Sequence, residues 1–423
     1  MKRFANVLVA VLAAQSAIAS AATFTVTLEA DLIDLIPGNG FCSVLPQAGA
    51  GPCSLRAAVI EANALAGTDT IALQAGQVLQ LALDGAAEDN AYTGDLDIRD
   101  DTLILFIASG ERPIVDANGL ERAFQVISGN LTLLGFDITG GDAPANGEAS
   151  GGAIYIGSGA GIVQLSLLRL YDNLADAGGG IYNNGDSTTV SSCEFRHNLV
   201  STPNVVSGGA AIYNRGELDV DHSAIWDSVA EGDFPATAII NLTSDGRTLS
   251  IRNSVIAENR IGITNQQDSP LVLVNATLAG NSQIGLNLSG DGSQLQMRNT
   301  VIANNGTLDC VIADGATLNV DRYNMDSDNT CELASGTSNF PGVEPYLTPL
   351  RQRDGFTPAS WPLTISPLID SGHPVIGAIG CEADDQLFNE RPVDFDGNGN
   401  ARCDIGSIEM SSDVIFFDPI ERY

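Results

Sequence analysis

Leu249-Ser250-Ile251-Arg252-Asn253-Ser254-Val255-Ile256-Ala257-Glu258-Asn259 is followed by Leu273-Val274-Asn275-Ala276-Thr277-Leu278-Ala279-Gly280-Asn281 and by Leu295-Gln296-Met297-Arg298-Asn299-Thr300-Val301-Ile302-Ala303-Asn304-Asn305. Apolar and polar residues alternate in each, the period-two pattern of a strand with one buried face. Each stretch closes on asparagine. Working outward, the closing polar residue recurs at Asn173, Asn198, Ser228, Asn259, Asn281 and Asn305, at intervals of 25, 30, 31, 22 and 24 residues. A polar residue returning at that period marks a solenoid with one coil per repeat.

A second polar column runs six residues ahead of the first: Ser192, His222, Asn253, Asn275 and Asn299. Stacked equivalent positions in parallel strands lie ~4.8 Å apart, so asparagines there can hydrogen-bond up the stack and satisfy backbone at the bends. Glycine-led strands form a further block: Gly151-Gly152-Ala153-Ile154-Tyr155, Gly179-Gly180-Ile181-Tyr182-Asn183 and Gly208-Gly209-Ala210-Ala211-Ile212-Tyr213-Asn214. Several short strands per coil and no helical periodicity predict an all-β fold, a right-handed parallel β-helix of about ten coils. Cys193 falls in the small-residue column of Ser223, Ser254, Ala276 and Thr300, so a buried, inert thiol is expected.

The flanks read differently. Cys53 to Ala66 carries Leu55, Val59, Ile60 and Ala62 at helical spacing behind Ser54, a short N-terminal capping helix over the first coil. Beyond residue 340 prolines accumulate (Pro341, Pro345, Pro349, Pro358, Pro362, Pro367, Pro374), which predicts an irregular wrap or C-terminal cap. The expected organisation is a signal peptide over 1–21, an N-terminal cap over 22–69, the β-helix over 70–335, a C-terminal cap over 336–410 and a tail over 411–423.

Lys2 and Arg3, the apolar run Val7–Ala14 and the small residues ending at Ala21 have the form of a secretory leader with an A-x-A cleavage site. The apolar run is too short for a membrane anchor, which needs about 20 residues. The formal net charge is −33 and Lys2 is the only lysine. That balance excludes nucleic acid and anionic membranes as partners. In an exported chain, seven cysteines suggest disulfides. Three pairs lie close in sequence: Cys42 with Cys53, Cys310 with Cys331, and Cys381 with Cys403. A secreted or cell-surface location is expected, with the periplasm as an alternative.

Cys53-Ser54-Leu55-Arg56-Ala57-Ala58-Val59-Ile60-Glu61-Ala62-Asn63, followed by Gly67-Thr68-Asp69-Thr70-Ile71, resembles the CSLREA motif near the start of secreted bacterial β-helix proteins, with Ala57 in place of the glutamate. Ser366–Gly372, Asp385-Gln386, Arg391-Pro392 and Cys403–Glu409 look like the end of choice-of-anchor Q domain proteins. The glycine-led strands and Phe195-x-x-Asn198 are similar to repeats of chlamydial polymorphic outer-membrane proteins. The resemblance implies an exported right-handed parallel β-helix and brings no activity with it. Unlike in autotransporters, residues 411–423 are one short segment with no run of membrane strands.

Asp394-Phe395-Asp396-Gly397-Asn398-Gly399-Asn400 places oxygen side chains at every second position between glycines, a pattern suited to calcium. Asp394, Asp396, Asn398 and Asn400 are the candidate ligands. Ile405 stands where an EF-hand has its bidentate glutamate, so the loop is either a structural calcium site or a solvated acidic turn. Glu217, Asp219 and Asp221 share one outer strand face, as catalytic acids of β-helix glycosidases do, or as partners of Arg252 one coil on. Tyr155, Tyr182 and Tyr213 recur at one point of three coils, as an internal aromatic stack or an outward platform for sugar rings, of which the internal stack is expected.

No catalytic set emerges. Uronate elimination needs a base and a cation for the carboxylate, and Arg252 and Arg298 share an outer column that Val274 interrupts. His197, His222 and His373 are far apart, without the spacing of a triad or zinc site. The sequence therefore predicts an exported, non-enzymatic β-helix presenting a surface for adhesion or glycan binding, with a polysaccharide or cell-surface protein as partner. The alternatives are a polysaccharide lyase or glycoside hydrolase, and a structural envelope component.

Overall fold

The computed structural model describes residues 21–411, except 48, 86–87, 147–148, 202–207, 231–235, 244, 321, 335–337, 353–355 and 378–379. The leader, apart from Ala21, and the 411–423 tail, apart from Ser411, lie outside the described residues. The chain winds as a right-handed parallel β-helix. Sheet one has 11 strands, sheet two 10 and sheet three 9, and a 3-stranded ribbon fills the corner between sheets two and three. Every strand pairing in these sheets is parallel and joins one coil to the next. Among the described residues the smallest sheet limits the complete turns to its 9 strands, slightly fewer than expected.

The core is built from the middle residue of each short strand in sheet two (Leu170, Phe195, Ile225, Ile256, Leu278, Ile302) and from the alternating apolar residues of the other sheets. Burying each such side chain contributes about 1.5–3 kcal/mol, and the alternation fixes the register because a one-residue slip would turn the apolar set outward. Cys193 is fully buried here, and burial pushes its thiol up to about 12.

The closing asparagines form an interior ladder. Asn173 donates to Asn198 (3.0 Å), Asn259 to Asn281 (3.1 Å) and Asn281 to Asn305 (2.9 Å). Asn281 Nδ2 also reaches the Ile256 carbonyl at 3.2 Å, and its Oδ1 accepts the Asn259 N–H at 3.1 Å. Buried polar backbone at these bends is thus satisfied, where leaving it unmade costs about 1–3 kcal/mol per group. A second ladder, Asn183–Asn214–Asn241–Asn265, closes sheet three with bonds of 2.8, 2.9 and 2.7 Å. The second polar column has a different character. Ser192, His222, Asn253, Asn275 and Asn299 all have φ between +41° and +54°. They are left-handed corners between sheets one and two, a conformation that asparagine tolerates better than most residues.

The helix spans Leu55–Ala64, with Ser54 as N-cap accepting the Ala57 N–H. Arg56 is fully buried, paired with Asp31 at 2.6 Å, and donates to the carbonyls of Ala91, Gly94 and Asp95. Glu61 accepts the N–H groups of Gly38 and Gly40. The Cys-Ser-Leu-Arg run is therefore the fastening of the cap. One strand lies earlier than its sequence suggests: Thr23–Thr25 pairs with Asp69–Ala72 and begins sheet one ahead of the helix. Three residues are too few to show an alternation.

Cys42 is joined to Cys53, Cys310 to Cys331 and Cys381 to Cys403. Cys331 and Leu333 cover the last coil. The segment that follows is the proline-rich region expected as an irregular wrap or C-terminal cap. It turns back along the outer face of sheet two. Leu368 and Ile405 pack with Val301, Ala303 and Met325, and Leu350 packs against the cluster of Ala224, Val255 and Ala257, as Trp226 does from the sheet. The left-handed corners hold this wrap. His373 N–H donates to Asn299 Oδ1 (2.9 Å), Glu382 N–H to Asn275 Oδ1 (3.0 Å), and Thr357 Oγ1 to the His222 carbonyl (3.3 Å). Gly406, at φ +102°, approaches Thr277 and Val301 so closely that a Cβ would sit 2.9 Å from Thr277 Oγ1.

Candidate functional site

Because sheet two keeps its register, outward residues fall into two columns. The first reads Asp137, Arg169, Glu194, Ala224, Val255, Thr277, Val301, and the second Thr139, Tyr171, Arg196, Trp226, Ala257, Ala279, Ala303. Where the columns are small and apolar, the wrap lies on them. Where they are charged and aromatic, a groove of about 510 Å³ opens, lined by Asp137, Arg169, Tyr171, Glu194, Arg196 and Trp226 on the sheet, with Leu350, Gln352 and Pro358 from the wrap opposite. Glu258 closes the end nearer the wrap's apolar contact.

The second column supplies the binding chemistry. The Arg196 guanidinium lies over the Tyr171 ring at 5.2 Å and the Trp226 ring at 5.8 Å, a cation held between two aromatic faces. The register neighbours beyond the two rings are Thr139 and Ala257. In the first column the carboxylates are engaged. Asp137 pairs with Arg112 at 2.6 Å, and Glu194 pairs with Arg169 at 3.3 Å and accepts the Trp226 indole N–H at 3.1 Å. Glu258 accepts the Leu350 N–H at 3.1 Å. Phe356 of the wrap packs under the guanidinium groups of Arg112 and Arg169 at 4.8 and 5.1 Å. Burial, with the Asp137 carboxylate beside it, pushes the Tyr171 phenol above its usual value. The groove thus offers ring edges, a fixed guanidinium and hydrogen-bonding carboxylates, a set suited to a polar ring-shaped ligand.

The residues singled out in the sequence sit elsewhere. Asp394 and Asp396 lie in the wrap and come together with Asp370, with one ligand atom from each within 4.8 Å of the others. Asp394 and Asp396 accept the Asn398 and Gly399 N–H groups, and Asn398 Oδ1 is turned to the Asn400 N–H at 2.8 Å. Asp370 is the member that sequence spacing could not supply. Of the outer-face acids, Asp219 pairs with Arg252, while Glu217 accepts the Thr248 N–H. Asp221 stands in register with Arg252 but contacts His222 at 3.0 Å. Arg298 lies one coil beyond Val274 in the same column.

Tyr155, Tyr182 and Tyr213 form a stack, with centroids 5.2 and 5.3 Å apart, on the outer face of sheet three rather than inside. Ile154, Ile156, Ile181 and Ile212 on either side of them fill the core, so alternation sends the tyrosines outward. Their faces are used on one another and, at Tyr155, on Arg122. The histidines are dispersed. His197 pairs with Asp172, His373 meets the Tyr323 ring edge-on, and His222 stacks on Phe388 of the wrap at 4.1 Å and reaches Asp384 at 3.3 Å. On sheet three, Asp97 is fully buried with its Oδ2 on the Ala91 N–H, and burial beside Glu88, Asp89 and Glu121 pushes it up to about 7. Asp97 does not line the groove.

Tyr171, Arg196 and Trp226 were not singled out in the sequence. A signal was present: they stand two residues before Asn173, Asn198 and Ser228, where later coils have Ala257, Ala279 and Ala303.

Residues 179–340 match the family model described as a right handed beta helix region. Solved structures that resemble the chain include the following two. A pectate lyase, Pel9A, is 14% identical with a TM-score of 0.45, covering 93% of this chain and 98% of its own. A rhamnogalacturonan lyase is 14% identical with a TM-score of 0.44, covering 82% of this chain and 96% of its own. No curated protein matches the sequence.

Proposed function

We propose that this protein binds an extended saccharide chain in the groove on sheet two, without cleaving it. The observation that carries the reading is the Tyr171–Arg196–Trp226 column, three flat side chains in consecutive coils facing the wrap across a groove of about 510 Å³. A wall repeating every ~4.8 Å suits a polymer of rings better than a compact ligand. The engaged state of Asp137, Glu194 and Glu258 supports binding over hydrolysis, because a general acid or nucleophile must be free to meet the glycosidic bond. Among the described residues no helix is long and apolar enough to cross a membrane. Three disulfides support maturation in an oxidising compartment, and export to the cell surface or medium is part of the proposal.

The test is co-elution of the protein with neutral and acidic polysaccharides on size-exclusion chromatography, with product length read in the same run. Co-elution with intact polymer is expected, with affinity falling at least about tenfold in Trp226→Ala and Tyr171→Ala, the loss typical of an aromatic hot spot. Shortened polymer would replace this reading with the enzymatic one. Binding indifferent to both substitutions would remove the groove from it. For Asp370, Asp394 and Asp396 we propose a structural calcium ion that ties two segments of the wrap together. A calcium-dependent rise in Tm, reversed by chelator, would support this, and its absence would count against it.

A further inference from the structure

We infer that Arg196 makes the groove selective for saccharides carrying isolated anionic groups, a uronate carboxylate or a sulfate ester, and this rests on the groove reading above. The other groove arginine, Arg169, is paired with Glu194, and Arg112 behind it is paired with Asp137. Arg196 is exposed and its contacts are the two rings at 5.2 and 5.8 Å. Among the described residues no hydrogen bond or ion pair engages its guanidinium. Stacking uses the two faces of that plane and leaves the N–H edge, whose fork matches a carboxylate or sulfate bidentately. The aromatic clamp fixes the plane before ligand arrives, so less side-chain freedom is lost on binding.

The chain as a whole restricts the charge density of the ligand. A formal net charge of −33 repels a dense polyanion at long range, and of the groove's acids Asp137 and Glu194 are matched by Arg112 and Arg169, while Glu258 at one end is held by the Leu350 N–H. One guanidinium with no acid partner, held between two rings, therefore selects one anionic sugar among neutral neighbours.

The experiment compares matched polymers by calorimetry: a sparsely carboxylated polysaccharide, its carboxyl-reduced form, and a sulfated derivative of the same backbone. The wild-type protein should prefer a charged polymer to the reduced one by about tenfold or more, the range of a charge-assisted hydrogen bond. The sulfated arm distinguishes which anion is the better fit. Arg196→Gln should bring the ratio of the affinities for charged and reduced polymer to about one, and Arg196→Lys should restore only part of the preference. Circular dichroism and Tm would verify that both variants are folded. Equal affinity for charged and reduced polymers, with Trp226→Ala still destroying binding, would overturn the inference and leave the groove reading standing. Failure of the wild-type protein to bind any of the polymers, or binding insensitive to Trp226→Ala, would overturn both.

Discussion

The outer face of sheet two is one surface with two halves. Toward the N-terminus its columns read Asp137, Arg169, Glu194 and Tyr171, Arg196, Trp226; toward the C-terminus, Val255, Thr277, Val301 and Ala257, Ala279, Ala303. The backbone is the same in both, strands of three residues at the same spacing and pairing. Side-chain size differs between the half that the wrap covers and the half where it leaves a groove. Where alanine leaves room, Leu368, Ile405 and Leu350 settle on the sheet; where Trp226 and Arg196 project, the wrap stands off and a groove results. A regular scaffold thus acquires a site through the contrast between neighbouring coils, with no change of fold.

The most severe way to break this contrast is to detach the wrap. Arg391 is fully buried, pairs with Glu409 at 3.0 Å and donates to the carbonyls of Asp384, Asp404 and Gly406. Arg391→Ala strands the Glu409 carboxylate, which burial already raises above its usual pKa, at a cost of about 3–5 kcal/mol. Limited proteolysis should then cut within residues 340–411 while the far-ultraviolet spectrum of the β-helix persists. Loss of the whole spectrum would mean that the wrap is integral to the solenoid.

A smaller perturbation makes the covered half resemble the open one. Ala257→Trp drives an indole against Leu350 and should cost about 1–3 kcal/mol by overpacking, read as a lowered denaturation midpoint. An unchanged midpoint would show that side-chain size does not govern how close the wrap sits.

The smallest effect concerns pH. Burial works against a charged His222, but Asp221 and Asp384 outweigh it and hold the imidazole pKa above its usual value; Arg252 and Glu382 complete the surroundings. With the folded pKa raised, this stabilisation is complete below about pH 6.5 and is lost as pH rises through the folded value. His222→Asn, which suits the same left-handed corner, should narrow its stability gap from the wild type by about 1 kcal/mol or less between pH 5.5 and 8.5. A gap independent of pH would show that the contact does not titrate with folding.

The coil period, the interior asparagine ladder and the capping helix were legible because each is a local pattern: alternation over ten residues, recurrence at fixed intervals, a cap residue before an apolar helical face. The outward tyrosines were legible in principle, since the isoleucine before each of them points to the core and fixes its direction. The wrap was legible only as proline-rich and irregular, because its contacts join residues such as Glu382 and Asn275, or Thr357 and His222, that are 107 and 135 positions apart. The groove was missed for the same reason. One side of it comes from the wrap, through Leu350, Gln352 and Pro358, and no local spacing announces which outer column faces it. Asp370 joins Asp394 and Asp396 across a shorter gap, still beyond the reach of a local motif.

The left-handed corners have a last consequence. His222, Asn275 and Asn299 meet the wrap at fixed points along it, so the wrap measures the solenoid as a ruler measures a rod. Inserting or deleting a coil between His222 and Asn299 would throw every later mark out of step. A coil added ahead of Arg112, the point where Phe356 of the wrap makes its contact, would lengthen the rod without moving these marks. On this account a change in length is free at one end of the molecule and counted at the other.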